Sequence, residues 1–277
     1  MPSASYAARQ PPAEKGEKPV HVLVTGFGSF LEKYPKNSSW EIASTLPALI
    51  PASPGNPTPI QIRVHHEPIR VAYRTVTDLV PKLFSPEPAT GPPPDIVLHI
   101  GLAASRNFYA IEQGAHGRGY ARAADVDGAL FQDAEAADLF PSARFPPQLK
   151  TGFDTSDVLA RWRAFLGFWN PDGSAEVEEL PDVRVNPDAG NFLCGFIYYN
   201  SLAHYHELNG GEAGGRPVAF MHVPDLTGSE GKLREGWEVA VALIKALVDS
   251  RRKVGLRGGH AGEGAKQEDD VKNNTST

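Results

Sequence analysis

Pro19-Val20-His21-Val22-Leu23-Val24-Thr25-Gly26 is a nearly continuous apolar run, the pattern of a strand buried on both faces. Two more runs share that character, Asp95-Ile96-Val97-Leu98-His99-Ile100-Gly101 and Pro217-Val218-Ala219-Phe220-Met221-His222-Val223. Shorter strands are predicted at Ile60–Val64, Phe108–Glu112 and Leu180–Val185. Helical periodicity lies between them. Ser38-Ser39-Trp40-Glu41 reads as a capping box that starts a helix near residue 39. Val76, Leu79, Val80 and Leu83 share one face of a helix over Val71–Phe84, and Asp157–Leu166 and Cys194–Glu207 are also helical. Leu233, Trp237, Val241, Ile244 and Val248 form one stripe of a helix over Gly231–Arg252. Strands alternating with helices predict a single-domain α/β chain, a mostly parallel sheet with helices on both faces. Ligands of such sheets bind beyond the carboxyl ends of the strands, where Phe27–Phe30, Leu102–Arg106, Glu112 and His222 are expected.

The composition fits this picture. The 277 residues are 41% hydrophobic and 22% charged, which is globular, and the folded region is placed at 19–254. Residues 1–18 and 255–277 lack apolar periodicity and are expected to be disordered tails. A net charge of −6 leaves no basic footprint for nucleic acid. No apolar run reaches the ~18 residues needed to cross a membrane, and no signal-peptide core precedes residue 20. With one cysteine there is no intrachain disulfide, and a cytoplasmic location is expected.

That cysteine, Cys194, follows a strand end and a tight Ala189-Gly190 turn and opens an aromatic-rich helix. The N–H groups and positive dipole end of a helix favour thiolate, the nucleophilic form. The alternative is that Cys194 packs as a small hydrophobe. A thiol nucleophile needs a base, usually histidine, and a third group to orient it. Of the nine histidines, His260 falls in the tail, and His204 and His206 follow Cys194 on its helix and are expected at the surface. His65 and His66, adjacent on a strand, point to opposite faces and cannot readily share a metal. His21 and His99 read as satisfied core residues. His116, in a glycine-rich loop, and His222, near a strand end, remain; His222 could equally be a buried strand histidine bonded to backbone. Glu112 closes an apolar strand, where an unpaired carboxylate is costly. It could orient an imidazole, or it could reach water or pair with Arg106 or Arg118.

Taken in order, these residues resemble a known family. Thr25-Gly26-Phe27-Gly28-Ser29-Phe30 followed by Asn37-Ser38-Ser39-Trp40-Glu41 is similar to the T-G-F-x-P-F and N-P-S-W opening of pyroglutamyl peptidase I (pyrrolidone-carboxylate peptidase). His99–Arg106 resembles its V-G-x-A-x-G-R segment, and Glu112 stands at the offset of its glutamate. Ala189–Cys194 resembles A-G-x-[FY]-x-C, and Phe220–Pro224 resembles F-I-H-[VI]-P. The resemblance spans most of residues 19–250. It implies a three-layer α/β/α sandwich and a cysteine exopeptidase that removes N-terminal pyroglutamate from peptides. It also implies no metal or organic cofactor and, in many members, a homotetramer. Carried over by position, Cys194 is the nucleophile, His222 the general base and acid, and Glu112 the group holding His222. By the same resemblance Phe27, Phe30 and Phe192 line the lactam pocket and Arg122 lies near the active site; backbone N–H groups near the start of the Cys194 helix, with Asn37 or Arg122, are expected to stabilise the oxyanion.

The departures are local. The family's R-x-A-x-N after the glutamate is Gln113-Gly114-Ala115-His116-Gly117, its loop proline is Ser29, and the Asn after the nucleophile is Gly195. Residues 169–181 read as an inserted loop. The rebuilt loop at 113–119 leaves open an amidase acting on another small N-blocked amide, or a non-enzymatic binding protein of the same fold.

Overall fold

The structure, a computed structural model, describes residues 18–30, 35–53, 55–84, 92–167, 180–211 and 215–257. Residues 1–17 and 258–277 of the expected tails, 169–179 of the expected inserted loop, and His260 lie outside the described residues. The apolar runs form the middle of a seven-stranded sheet. In chain order its strands are β1 (Val20–Gly26), β2 (Leu49–Ile50), β3 (Ile60–Val64), β4 (Ile96–Leu102), β5 (Tyr109–Glu112), β8 (Val183–Asn186) and β9 (Val218–Val223). The spatial order is β2-β3-β1-β4-β9-β5-β8. A separate two-stranded ribbon pairs β6 (Gly114–His116) with β7 (Gln148–Lys150).

Alternation along the central strands sends side chains to two cores. Val22, Val24, Leu98, Ile100, Ala219 and Met221 share one core with residues of α1 (Ser38–Ala43), α4 (Thr155–Phe165) and α6 (Glu230–Lys253). Leu23, Val97, Val218 and Phe220 share the other with α2 (Tyr73–Phe84) and α5 (Leu193–Leu208). Helices therefore cover both faces, giving the α/β/α sandwich. A further helix, α3 (Asp133–Leu139), adds Ala136 to the second core.

Strand direction departs from the simple expectation. β3, β1, β4 and β9 run parallel, but β5 runs antiparallel to β9 and carries β8 parallel to itself. The end of β5 therefore points away from the carboxyl edge of its neighbours, so Glu112 does not sit beyond that edge. It lies instead on the sheet, level with Phe220 midway along β9.

One histidine expected at the surface is inside: His206 is buried, because α5 is covered nearly all round by α2 and the β6–β7 ribbon, whereas His204 is half-buried, its ring stacked on Phe84 at 4.6 Å. His99 is fully buried, as a core residue. Its ring nitrogens meet Thr25 Oγ1 at 2.7 Å and Ser201 Oγ at 2.9 Å, and burial lowers it to about 3. It is a neutral tie between β1, β4 and α5.

Candidate active site

The site is built from side chains on one face of four neighbouring strands. Gly101 of β4 is the register partner of His222 of β9, and Ala110 of β5 is the partner of His222 on the other side. Side chains two residues apart share a face, so Glu112 is a diagonal neighbour of His222 across the antiparallel pair. Asn186 of β8 is the register partner of Glu112. Register alone thus aligns Gly101, His222, Glu112 and Asn186 in a row beneath α5.

The hydrogen bonds follow that row. His222 Nδ1 lies 2.7 Å from Glu112 Oε1, and Asn186 Nδ2 donates to Glu112 Oε2 at 2.6 Å. Arg106, in the β4–β5 loop, donates through Nη1 to Glu112 Oε1 at 2.7 Å. The Tyr198 hydroxyl donates to the Glu112 carbonyl at 3.0 Å. The Glu112 side chain is 0% exposed. Burial pushes its carboxyl upward, but the bonds from His222, Asn186 and Arg106 outweigh it and hold the group below its ordinary value. An ionised carboxylate only accepts, so Nδ1 carries the proton and Nε2 is the basic nitrogen. Among the described residues, Nε2 has no hydrogen-bond partner.

Cys194 is the second residue of α5, whose N-cap, Phe192, makes no side-chain capping bond. Its sulfur occupies the space above Gly101: a Cβ added there would lie 2.8 Å from Cys194 Sγ and 2.6 Å from the tip of Phe220. Since Gly101 and His222 are register partners, the sulfur rests on the face from which the imidazole projects, one strand over. No hydrogen bond joins sulfur to imidazole among the described residues. The thiol is also not the pre-formed thiolate that a helix start favours. Burial pushes it up to about 12, the Glu112 charge adds to that rise, and Arg106 opposes it. Desolvation between Gly101 and Phe220 overrides the helix dipole.

Beside the sulfur lies a small pocket open to solvent, lined by Phe27, Phe30, Asn37, Val71, Leu102, Phe192, Leu193 and Cys194. None of these side chains is charged, and Asn37 supplies the one amide. Asn37 caps α1: its Oδ1 accepts from Ser39 N at 3.1 Å, and its Nδ2 donates to the Gly28 carbonyl at 2.9 Å. The helix starts at Ser38 under an asparagine cap; the Ser39 hydroxyl instead accepts from Phe27 N at 3.0 Å. This bond fixes the loop that carries two of the pocket's aromatic walls.

No sequence-family model matches the chain. It is 29% identical over 205 residues to pyroglutamyl-peptidase 1 of Homo sapiens, covering 74% of this chain and 79% of that protein. The pyrrolidone carboxyl peptidase structure from Thermus thermophilus is 25% identical with a TM-score of 0.56, covering 83% of this chain and 99% of that one. That from Pyrococcus furiosus is 21% identical with a TM-score of 0.58 over the same shares. The chain is thus similar to pyroglutamyl-peptidase 1 over about three quarters of its length, with the divergence that 29% identity implies.

Its departures from the family pattern have local reasons. Gly190, at φ 82°, turns its carbonyl toward α5, and a Cβ at residue 195 would lie 1.8 Å from that oxygen. Only glycine fits there, whatever relatives carry. The rebuilt loop braces the turn before the nucleophile. Ala189 N donates to the Gly114 carbonyl at 3.1 Å, Asn191 Nδ2 donates to the Arg118 carbonyl at 3.0 Å, and His116 Nε2 lies 2.9 Å from Asp188 Oδ2. His116 is thus strand-held, not loose.

Arg122 falls in a short 3-10 turn, exposed, and is not among the residues lining the pocket. The arginine that reaches the acid is Arg106. The sequence reading also passed over Val71, Leu102 and Leu193 as pocket walls and Asn186 as a partner of Glu112. For Asn186 a signal existed: a polar residue closing an apolar strand immediately before Pro187.

Proposed function

We propose that this protein is a cysteine exopeptidase that hydrolyses the amide bond after an N-terminal pyroglutamyl residue. The observation that carries this reading is a small pocket beside Cys194 with no charged side chain among the described residues that line it. An ordinary N-terminal ammonium would lose its hydration there without gaining a partner, which costs several kcal/mol, whereas a neutral lactam loses little. The ring methylenes fit against Phe27, Phe30 and Phe192, in the manner of small-ligand pockets with apolar walls and few polar groups.

In the mechanism, the Cys194 thiol gives its proton to His222 Nε2 as sulfur attacks the pyroglutamyl carbonyl. Because burial holds the thiol neutral at rest, proton transfer accompanies attack rather than preceding it. Glu112, fixed through both oxygens, holds the imidazole in the Nδ1–H form and stabilises the imidazolium. The oxyanion is stabilised by the unpaired N–H groups of the first turn of α5. His222 then protonates the leaving amine, and water, deprotonated by the same nitrogen, cleaves the thioester to release pyroglutamate.

The test is a panel of fluorogenic amides blocked by pyroglutamyl, prolyl, acetyl-alanyl or formyl groups. Turnover of the pyroglutamyl amide alone supports the proposal. Turnover of another member in preference would assign a different small amide, and no turnover of any would point to a binding role.

A further inference from the structure

Glu112 Oε1 has two donors at the same distance. His222 Nδ1 and Arg106 Nη1 both lie 2.7 Å from it. A buried carboxylate must be neutralised by something, and either cation could do so. Arg106 carries a permanent charge; an imidazole does not. Resting on the peptidase reading above, we propose that Arg106 is a positioning residue for the reaction. It is the fixed counter-ion of Glu112, so that His222 is left neutral and able to act as base.

The chain around Arg106 is built to hold that contact. Its backbone N–H donates to the Ala103 carbonyl at 2.9 Å, and Ala103 N donates to the Val223 carbonyl at 2.8 Å, next to His222. The loop bearing the guanidinium is therefore tied to the strand bearing the imidazole. The Arg106 side chain is 23% exposed, and its Cζ lies 5.6 Å from the Phe108 ring centroid. Phe108 in turn carries Arg184 at 4.2 Å, but Arg184 is paired with exposed Asp182 and does not reach Glu112.

The other groups facing the pair do not replace this charge. From α5, Cys194 is a neutral thiol and Tyr198 a phenol that burial keeps protonated. From β8, Asn186 is an uncharged amide. Beyond it, Asp188 is occupied by His116 and by the Gly190 N–H. From β9, the neighbour is the Phe220 ring, 4.8 Å from that of His222. Without Arg106, the field of Glu112 would fall on His222 alone and favour its protonated, inactive form.

The test compares wild type with Arg106→Met and Arg106→Lys in two readouts. The first is kcat/KM for a pyroglutamyl amide against pH, and the second is proton uptake by the His222 ring followed by NMR. In Arg106→Met the acidic limb and the ring transition both move to higher pH, by roughly one unit. In Arg106→Lys both stay within a few tenths of wild type. Should Arg106→Met fail to fold, Arg106→Gln, a neutral donor, takes its place with the same expected shift. Coincident limbs and ring transitions in wild type and the uncharged variant, with activity lost equally at all pH values, would overturn the proposal. If the wild type does not turn over the pyroglutamyl amide, the peptidase reading fails, and the ring transition alone decides the role of Arg106.

Discussion

Glu112 and His222 meet diagonally across the antiparallel junction of β5 and β9, with Oε1 2.7 Å from Nδ1. β5 runs against β9, and the pairing of Ala110 with His222 leaves Glu112 two residues along on the same face, within reach of the imidazole. The contact fixes which imidazole nitrogen is basic, and Glu112→Gln tests it. A glutamine can donate to Nδ1 as readily as accept, so the tautomer is no longer enforced. We expect kcat on a pyroglutamyl amide to fall by about 10²–10⁴ while the fold is kept. A loss smaller than about tenfold would deny Glu112 this role.

The same carboxylate sets an acid limit on stability. Burial works to raise it, but the bonds from His222, Asn186 and Arg106 bring it below its ordinary value of 4.5. A carboxyl depressed in the folded state stabilises fully above its unfolded value, and that contribution is lost as pH falls through the folded value. The stability gap between wild type and Glu112→Gln should therefore shrink as pH drops below 4.5. Thermal melts from about pH 7 to pH 3 would read it, and a gap that stays constant or widens on acidification would contradict the assignment.

Cys194 is the chain's one cysteine, so alkylation reports on it directly. With the thiol pushed up to about 12, the resting site holds no appreciable thiolate near neutrality. Iodoacetamide should react slowly at about pH 7 and still be gaining rate above about pH 10. A rate that levels off at or below neutral pH would mean a pre-formed thiolate, and the proton-transfer order given above would be wrong.

Gly195→Ala tests the seating of α5 against the turn before it. The added Cβ meets a backbone carbonyl, that of Gly190, which cannot swing aside as a side chain would. Denaturant unfolding should show a loss of about 2 kcal/mol or more, with activity reduced because the first turn of α5 shifts. Unchanged stability and activity would mean that the turn yields freely.

Much of this arrangement is legible in the sequence, for definable reasons. The apolar runs of β1, β4 and β9 and the stripe of α6 are long enough for periodicity to speak. β2, β6 and β7 are two or three residues long and carry no period at all. The direction of β5 depends on how the chain returns to the sheet, which no local pattern encodes, so the sequence pairs Glu112 with His222 without showing that their strands run in opposite directions. The expectation of a thiolate failed for a related reason. A helix start is readable from residues 189–194, whereas enclosure of the sulfur by Gly101 and Phe220 comes from strands far away in sequence. The sequence offers Arg106 or Arg118 as a partner for Glu112 beside the histidine, and the fold shows that Arg106 and His222 both reach it.

The most direct test of the central claim is the turnover of a fluorogenic pyroglutamyl amide by wild type and Cys194→Ala, with folding of both checked by circular dichroism. The account predicts that the folded variant loses at least about 10⁴-fold in kcat/KM. A folded Cys194→Ala protein that releases the fluorophore at the wild-type rate would contradict it.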